Sequence, residues 1–165
     1  MTKTTMTHGP TTDRNWLRAV VDRATANVDA GGGPFAAVVV REGQPLAYGE
    51  NRVTRDHDPT AHAEVVALRR ACAAVGDFSL PGAVLYSSCE PCPLCAAAAL
   101  WARVSRVVYA ADCNDAARGG FDDSAFHELF REDRATWPMP VEQRPIEGRA
   151  APFDRWLSHP QRVPY

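Results

Sequence analysis

With 165 residues, 45% of them hydrophobic and 23% charged, the chain has the proportions of one globular domain, which excludes a disordered or membrane class. The opening MTKTTMTHGPTTD has no apolar signal core and no run matches a membrane span, so a cytoplasmic setting is expected. A net charge of −2, a single lysine (Lys3) and scattered arginines, with only Arg69 and Arg70 adjacent, argue against a nucleic-acid partner.

In chain order, Asp13 is placed to cap a helix that carries Trp16, Leu17, Val20, Val21 and Ala24 at helical spacing. AGGGP from Ala30 stops it. FAAVVV from Phe35 reads as an apolar strand, and REGQP turns it into a second strand around LAYGEN, forming a hairpin. Thr60 opens a strong helix, TAHAEVVALRRACAAVG, with Val65, Leu68, Cys72 and Val75 on one face and Gly76 at its end. AVLYSS from Ala83 is another apolar strand. Pro91 suits the first turn of a helix over PCPLCAAAALWAR, and RVVYAA from Arg106 reads as a further buried strand. Asp123 opens a helix through SAFHELF. Beyond Arg131 the chain is charged and proline-rich, with an edge strand expected at PVEQRPI and a short helix at FDRWLS. Strands separated by helices imply crossover connections, hence a three-layer α/β/α sandwich around a mixed central sheet. One domain is expected, with a core over 12–130 and a C-terminal segment over 131–165.

Three cysteines follow one another at spacings of three in SSCEPCPLC. In a reducing compartment an odd total of five points to metal ligands or buried thiols rather than disulfides. Cys92 and Cys95 share one face at a helix start, where free N–H groups and the helix dipole favour thiolates. Cys89 precedes Pro91 and need not point the same way. A catalytic zinc takes three protein ligands and leaves a position for water. His62 in TAHAEVV, at the start of another helix that follows a strand, is the best third ligand. Glu64, two residues on, is placed over the water as a proton carrier. His62-Ala63-Glu64 with Pro91-Cys92-Pro93-Leu94-Cys95 is the H-x-E and P-C-x-x-C pattern of zinc deaminases. That chemistry adds zinc-activated hydroxide to an amino-bearing ring carbon, while the glutamate shuttles protons to the ring and to the departing amine.

Competing readings stand beside it. A lone C-x-x-C also fits a thiol–disulfide protein, and a zinc-stabilised module needs no glutamate. Cys72 and Cys113 read most simply as buried apolar side chains, and the other four histidines as solvated or structural.

The motifs DHDPTAHAEV, SSCEPCPLC, WAR and VVYAADCNDAARGGFDDS, with a terminal tyrosine, resemble the cytidine-deaminase-like superfamily and, within it, the bacterial guanine deaminases. The resemblance implies zinc on His62, Cys92 and Cys95, and Glu64 as the catalytic proton carrier. It implies that Asn51 donates to a purine carbonyl, that Phe35 and Trp101 line the pocket, and that Asp123 and Tyr165 complete recognition of the base. It also implies a homodimer that exchanges C-terminal segments, so that Tyr165 serves the partner's site, and a small purine base as the substrate. Other aminopurines, a guanosine-type nucleoside and an aminotriazine remain open as substrates. A tRNA adenosine deaminase shares the core, but the acidic balance argues against it. Ala36 and Ala97 stand where the family usually carries glycine, which raises the expectation of a narrowed pocket.

Overall fold

A computed structural model describes residues 10–165, so the polar leader up to Gly9 lies outside the described residues. The chain divides into two units, one ending at His127 and one spanning Glu128–Tyr165.

In the first unit the apolar runs make a mixed four-stranded sheet of order β2-β1-β3-β4. β1 (Ala36–Arg41) lies antiparallel to both β2 (Gln44–Glu50) and β3 (Ala83–Cys89), and β3 lies parallel to β4 (Arg106–Ala111). The hairpin turns through Glu42 and Gly43, both at positive φ (54° and 76°), as a two-residue connection requires. β1 and β3 are buried on both faces, and the two-residue period of a strand sorts their side chains. Ala36, Val38, Val40, Val84 and Tyr86 meet Val20 and Ala24 of α1 (Pro10–Asp29). Ala37, Val39 and Leu85 meet α3 (Ala63–Val75) and α4 (Pro93–Trp101) on the other side. This is the expected three-layer sandwich. α3 approaches β2 very closely: a Cβ on Gly49 would overlap the backbone of Ala63 and Ala67.

Several boundaries differ from those expected. α1 is already under way before Asp13, whose carboxylate accepts the Tyr86 hydroxyl at 2.7 Å and pairs with Arg106 instead of capping. Thr60 belongs to a turn closed on Asp58, and α3 starts at Ala63 with His62 as its N-cap residue. α4 starts at Pro93 rather than Pro91. Two short helices, α2 (Val53–Asp56) and α5 (Cys113–Arg118), were not expected. β4 was expected to be buried, yet it is an edge strand with no buried position. Before α6 (Ser124–Leu129) it is Asp122, not Asp123, whose carboxylate accepts the Ser124 N–H.

In the second unit PVEQRPI forms no strand. Pro140 and Pro145 lack the N–H groups that a ladder needs. α7 (Ala151–Ser158) carries Phe153, Trp156 and Leu157 at helical spacing on one stripe, and all three are exposed. No residue from Glu128 to Tyr165 is buried. Among the described residues no helix is long and apolar enough to cross a membrane.

The register explains where chemistry can gather. Ala36 lies opposite Glu50, Ala37 opposite Ser87, and Cys89 opposite Ala111. The start of β1 and the ends of β2, β3 and β4 therefore share one end of the sheet. Cys89 ends β3, and Phe35, Asn51, Cys92 and Cys113 lie just outside those ends.

Candidate metal centre and active site

His62 and Cys92 are both N-cap residues, at the starts of α3 and α4, and neither side chain makes a capping hydrogen bond. Both are thereby free to turn inward. Cys95 sits one turn into α4 and is buried at 1% exposure. His62 Nδ1 lies 3.5 Å from Cys92 Sγ and 3.4 Å from Cys95 Sγ, and the two sulfurs are 3.6 Å apart. A tetrahedral zinc, with bonds of about 2.3 Å to sulfur and about 2.0 Å to nitrogen, sets sulfurs about 3.8 Å apart and sulfur and nitrogen about 3.5 Å apart. The three donors therefore fit zinc within a few tenths of an ångström. Among the described residues they are the one group of three metal-ligating side chains brought within 4.8 Å of one another. All five cysteines are free.

The electrostatics separate the cysteines. Cys95, then the His62 ring, holds the Cys92 thiol down at about 4, whereas Cys92 and burial push Cys95 up. The pair thus shares one readily formed thiolate, and His62 is raised in turn, chiefly by its contact with Cys92. Burial, then the Glu64 carboxylate, pushes Cys89 up to about 11, so it stays a thiol at neutral pH. Its Sγ lies 3.8 Å from the Asp112 carbonyl, away from the donor triad.

Glu64 is 6% exposed on the first turn of α3. The Ser87 hydroxyl donates to its Oε1 at 3.0 Å, and its Oε2 lies 3.4 Å from Cys95 Sγ. Burial raises its carboxyl above the usual range, opposed by its own backbone N–H and by the Cys95 and Ser87 contacts. A carboxyl pushed upward is better matched to carrying protons near neutrality.

These groups open into a cavity of about 780 Å³. Asn51, Phe35 and Asp123 line it with Glu64 and the donor triad. Asn51 is 9% exposed; its Oδ1 accepts the Val53 N–H at 3.3 Å, and among the described residues its Nδ2 makes no hydrogen bond. The Phe35 and Phe121 rings meet edge to face at 5.0 Å and 86°. Asp123 pairs with His127 at 3.2 Å. Among the described residues the lining carries Glu64, Glu90, Asp122 and Asp123 and no lysine or arginine.

Trp101 is placed differently from expectation. It ends α4, is 63% exposed, and borders a smaller hollow with Ala97, Leu100 and Arg103. Tyr165 belongs to the second unit, where its ring meets Trp156 edge to face at 6.2 Å. Cys113 is not buried; it is exposed and lines the cavity. Neither Ala36 nor Ala97 lines the cavity, so their methyl groups do not narrow it. Three residues gained parts that sequence reasoning did not give them. Ser87 lies within the SSCEPC motif and Phe121 within GFDDS, so both were in view without a role. Asn27, which ties two pieces of one cavity wall together, has no local signal at all.

The family described as the cytidine and deoxycytidylate deaminase zinc-binding region matches residues 10–111. The guanine deaminase of Bacillus subtilis is 42% identical over 151 residues, which are 91% of this chain and 97% of that protein. Its X-ray structure superposes with a TM-score of 0.89 over 92% of this chain and 98% of that one. A tRNA-specific adenosine deaminase of Agrobacterium fabrum is 47% identical over 78 residues, only 47% of this chain and 51% of that protein.

Proposed function

The chain belongs to the cytidine and deoxycytidylate deaminase zinc-binding family, and from that premise we propose that it hydrolyses guanine to xanthine and ammonia. One observation carries the choice of base. Similarity to the guanine deaminase covers 91% of the chain and so reaches into the C-terminal segment, whereas similarity to the tRNA enzyme covers only 47% of it. The cavity supports it: among the described residues four carboxylates and no lysine or arginine line the opening, which suits a neutral base and repels phosphate.

His62, Cys92 and Cys95 would hold the zinc, which would supply hydroxide near neutral pH by lowering the pKa of a water to about 7. Glu64 takes the water proton on Oε2, the oxygen left by Ser87, and passes it to the ring nitrogen beside the amino-bearing carbon. The second proton leaves the added oxygen as the carbonyl forms and passes through Glu64 to the departing amine, so ammonia leaves and each turnover returns Glu64 to its starting state. Asn51 donates from Nδ2 to the purine carbonyl, and Asp123 accepts from the ring. Phe35, braced by Phe121, faces the base.

The functional molecule is a homodimer with exchanged C-terminal segments, in the cytoplasm. Residues up to about 130 form the catalytic core, and the remainder is the exchanged arm. From Glu128 onward nine large apolar side chains are exposed and none is buried, so that segment needs a cover that its own unit does not provide. The first unit offers Leu100, Trp101, Val107 and Tyr109 on α4 and β4 as exposed apolar surface for a second copy. Trp101 thus moves from the pocket to the subunit contact. Tyr165 serves the partner's site.

The cavity volume of about 780 Å³ also leaves room for a sugar, which favours a guanosine-type nucleoside as the second reading. A panel of guanine, guanosine, adenine, cytosine and an aminotriazine, assayed for ammonia release, tests the reading. Guanine alone should be turned over quickly, and turnover of guanosine in preference would replace it.

A further inference from the structure

Two separate pieces of chain form one wall of the cavity: the loop through Gly33 and Phe35 that leads into β1, and Asn51 after β2. The Asn51 N–H donates to the Phe35 carbonyl at 3.0 Å. The second tie between them is Asn27, in the last turn of α1, a residue that is 5% exposed and does not itself line the cavity. Its Nδ2 donates to the Gly33 carbonyl at 2.8 Å and to the Asn51 carbonyl at 3.0 Å. Its Oδ1 accepts from Arg55 Nη2 at 3.2 Å, and its own carbonyl accepts the Gly32 N–H at 2.8 Å. The amide can face only one way, because carbonyls only accept and a guanidinium only donates. The glycines permit this closeness. A Cβ on Gly32 would overlap the Asn27 side chain, and one on Gly33 would lie 2.9 Å from Asn51 Oδ1.

We infer that Asn27 is a positioning residue for base recognition: it fixes the Asn51 backbone against the Phe35 wall, and so aims the unbonded Asn51 Nδ2, without touching the substrate. The inference rests on the reading that Asn51 donates to the base. It uses no group of the metal centre, so its consequences should fall on substrate affinity and not on metal or chemistry.

Asn27→Asp preserves shape but sets an acceptor against two carbonyl oxygens. In the full-length zinc enzyme, KM for guanine should rise about tenfold, kcat should stay within about threefold, and zinc per chain should not change. Added to Asn51→Ala, the same substitution should raise KM by less than about twofold further, since both act through one contact. An unchanged KM, a loss confined to kcat, or effects that multiply with Asn51→Ala would overturn the inference. Should Asn27→Asp fold poorly, Arg55→Met removes, from an exposed side chain, the bond that orients the amide together with one to the Ala30 carbonyl, and touches no group of the cavity. A KM rise of about threefold with kcat kept then supports the inference, and an unchanged KM defeats it. If the unsubstituted enzyme releases no ammonia from guanine, the substrate reading fails by itself. The KM comparison is then made on whichever base of the panel is turned over, so the two failures stay distinct.

Discussion

The Ser87 hydroxyl donates to Glu64 Oε1 at 3.0 Å, across the junction of β3 and α3. One carboxylate oxygen is thereby anchored while Oε2 faces Cys95. Glu64→Gln keeps the size and the burial of the side chain but cannot carry a proton. Zinc content and thermal stability should stay at the unsubstituted level, while ammonia release falls by at least about 10²- to 10⁴-fold. Metal analysis beside a rate assay checks this. A variant that retains turnover would leave the glutamate without its part.

Removal of zinc should abolish activity, and equimolar zinc should restore it. The stripped protein also gives a test of the cysteine assignments. Cys92, held down at about 4, is a thiolate at any pH above that value, whereas Cys89, pushed up to about 11, is a thiol at any pH below it. Brief iodoacetamide treatment near neutral pH should therefore alkylate Cys92 in the stripped protein, spare Cys89, and spare Cys92 once zinc is returned. Peptide mapping reads the outcome. Alkylation of Cys89 in preference would show that the wrong thiols had been paired.

Much of the site was legible because its signals are local. Each ligand stands in the first turn of a helix or at its N-cap, and the spacing of Cys92 and Cys95 alone sets them on one face. What could not be read was direction on featureless elements. PLCAAAALW is apolar all round, so no period marks which side faces inward, and Trp101 fell on the outer side. RVVYAA reads as a buried strand, yet β4 is the sheet edge with Val107 and Tyr109 exposed. Cys113 reads as a buried thiol, yet it follows the Asp112 cap of α5 and lines the cavity in the open, and beside Asp123 it is Asp122 that accepts the Ser124 N–H while both line the cavity. Asn27 acts on a carbonyl 24 positions away, a relation that no window of sequence contains.

Gly49 sets the depth of α3 on the sheet, and with it the placement of His62 and Glu64. Gly49→Ala pushes against the backbone of Ala63 and Ala67, which cannot rotate away. A loss of about 1–3 kcal/mol in unfolding free energy is expected, with reduced zinc occupancy. Gly43→Ala is the control. Nothing lies within 4 Å of its Cβ, so it should cost only the strain of φ +76°, about 1 kcal/mol, and leave zinc in place. Denaturant melts and metal analysis compare the two.

Tyr86 is fully buried, and its pKa is pushed up to about 12 by burial first and by its bond to Asp13 second. A folded-state pKa above the unfolded value of about 10 means that the contribution is fully present below about pH 10 and disappears as pH rises through 12. In a spectrophotometric titration one of the four tyrosines should ionise last, near pH 12, together with loss of the fold. Tyr86→Phe should remove that step. Ionisation of all tyrosines near pH 10 with the fold intact would contradict the bond.

The exchanged arm makes a prediction that only a dimer can meet. Deleting Tyr165 should lower guanine turnover and leave zinc in place. A chain with Glu64→Gln has an intact Tyr165, and a chain without Tyr165 has an intact Glu64. If Tyr165 serves the partner's site, a mixed dimer contains one complete site built from both. Unfolding and refolding the two inactive chains together in equal amounts should then recover about a quarter of the unsubstituted rate per chain, because half the dimers are mixed and each has one working site of two. No recovery, with mixed dimers demonstrated by tag pull-down, would place Tyr165 in its own chain's site, and a chain without Tyr165 that keeps full activity would place it in none.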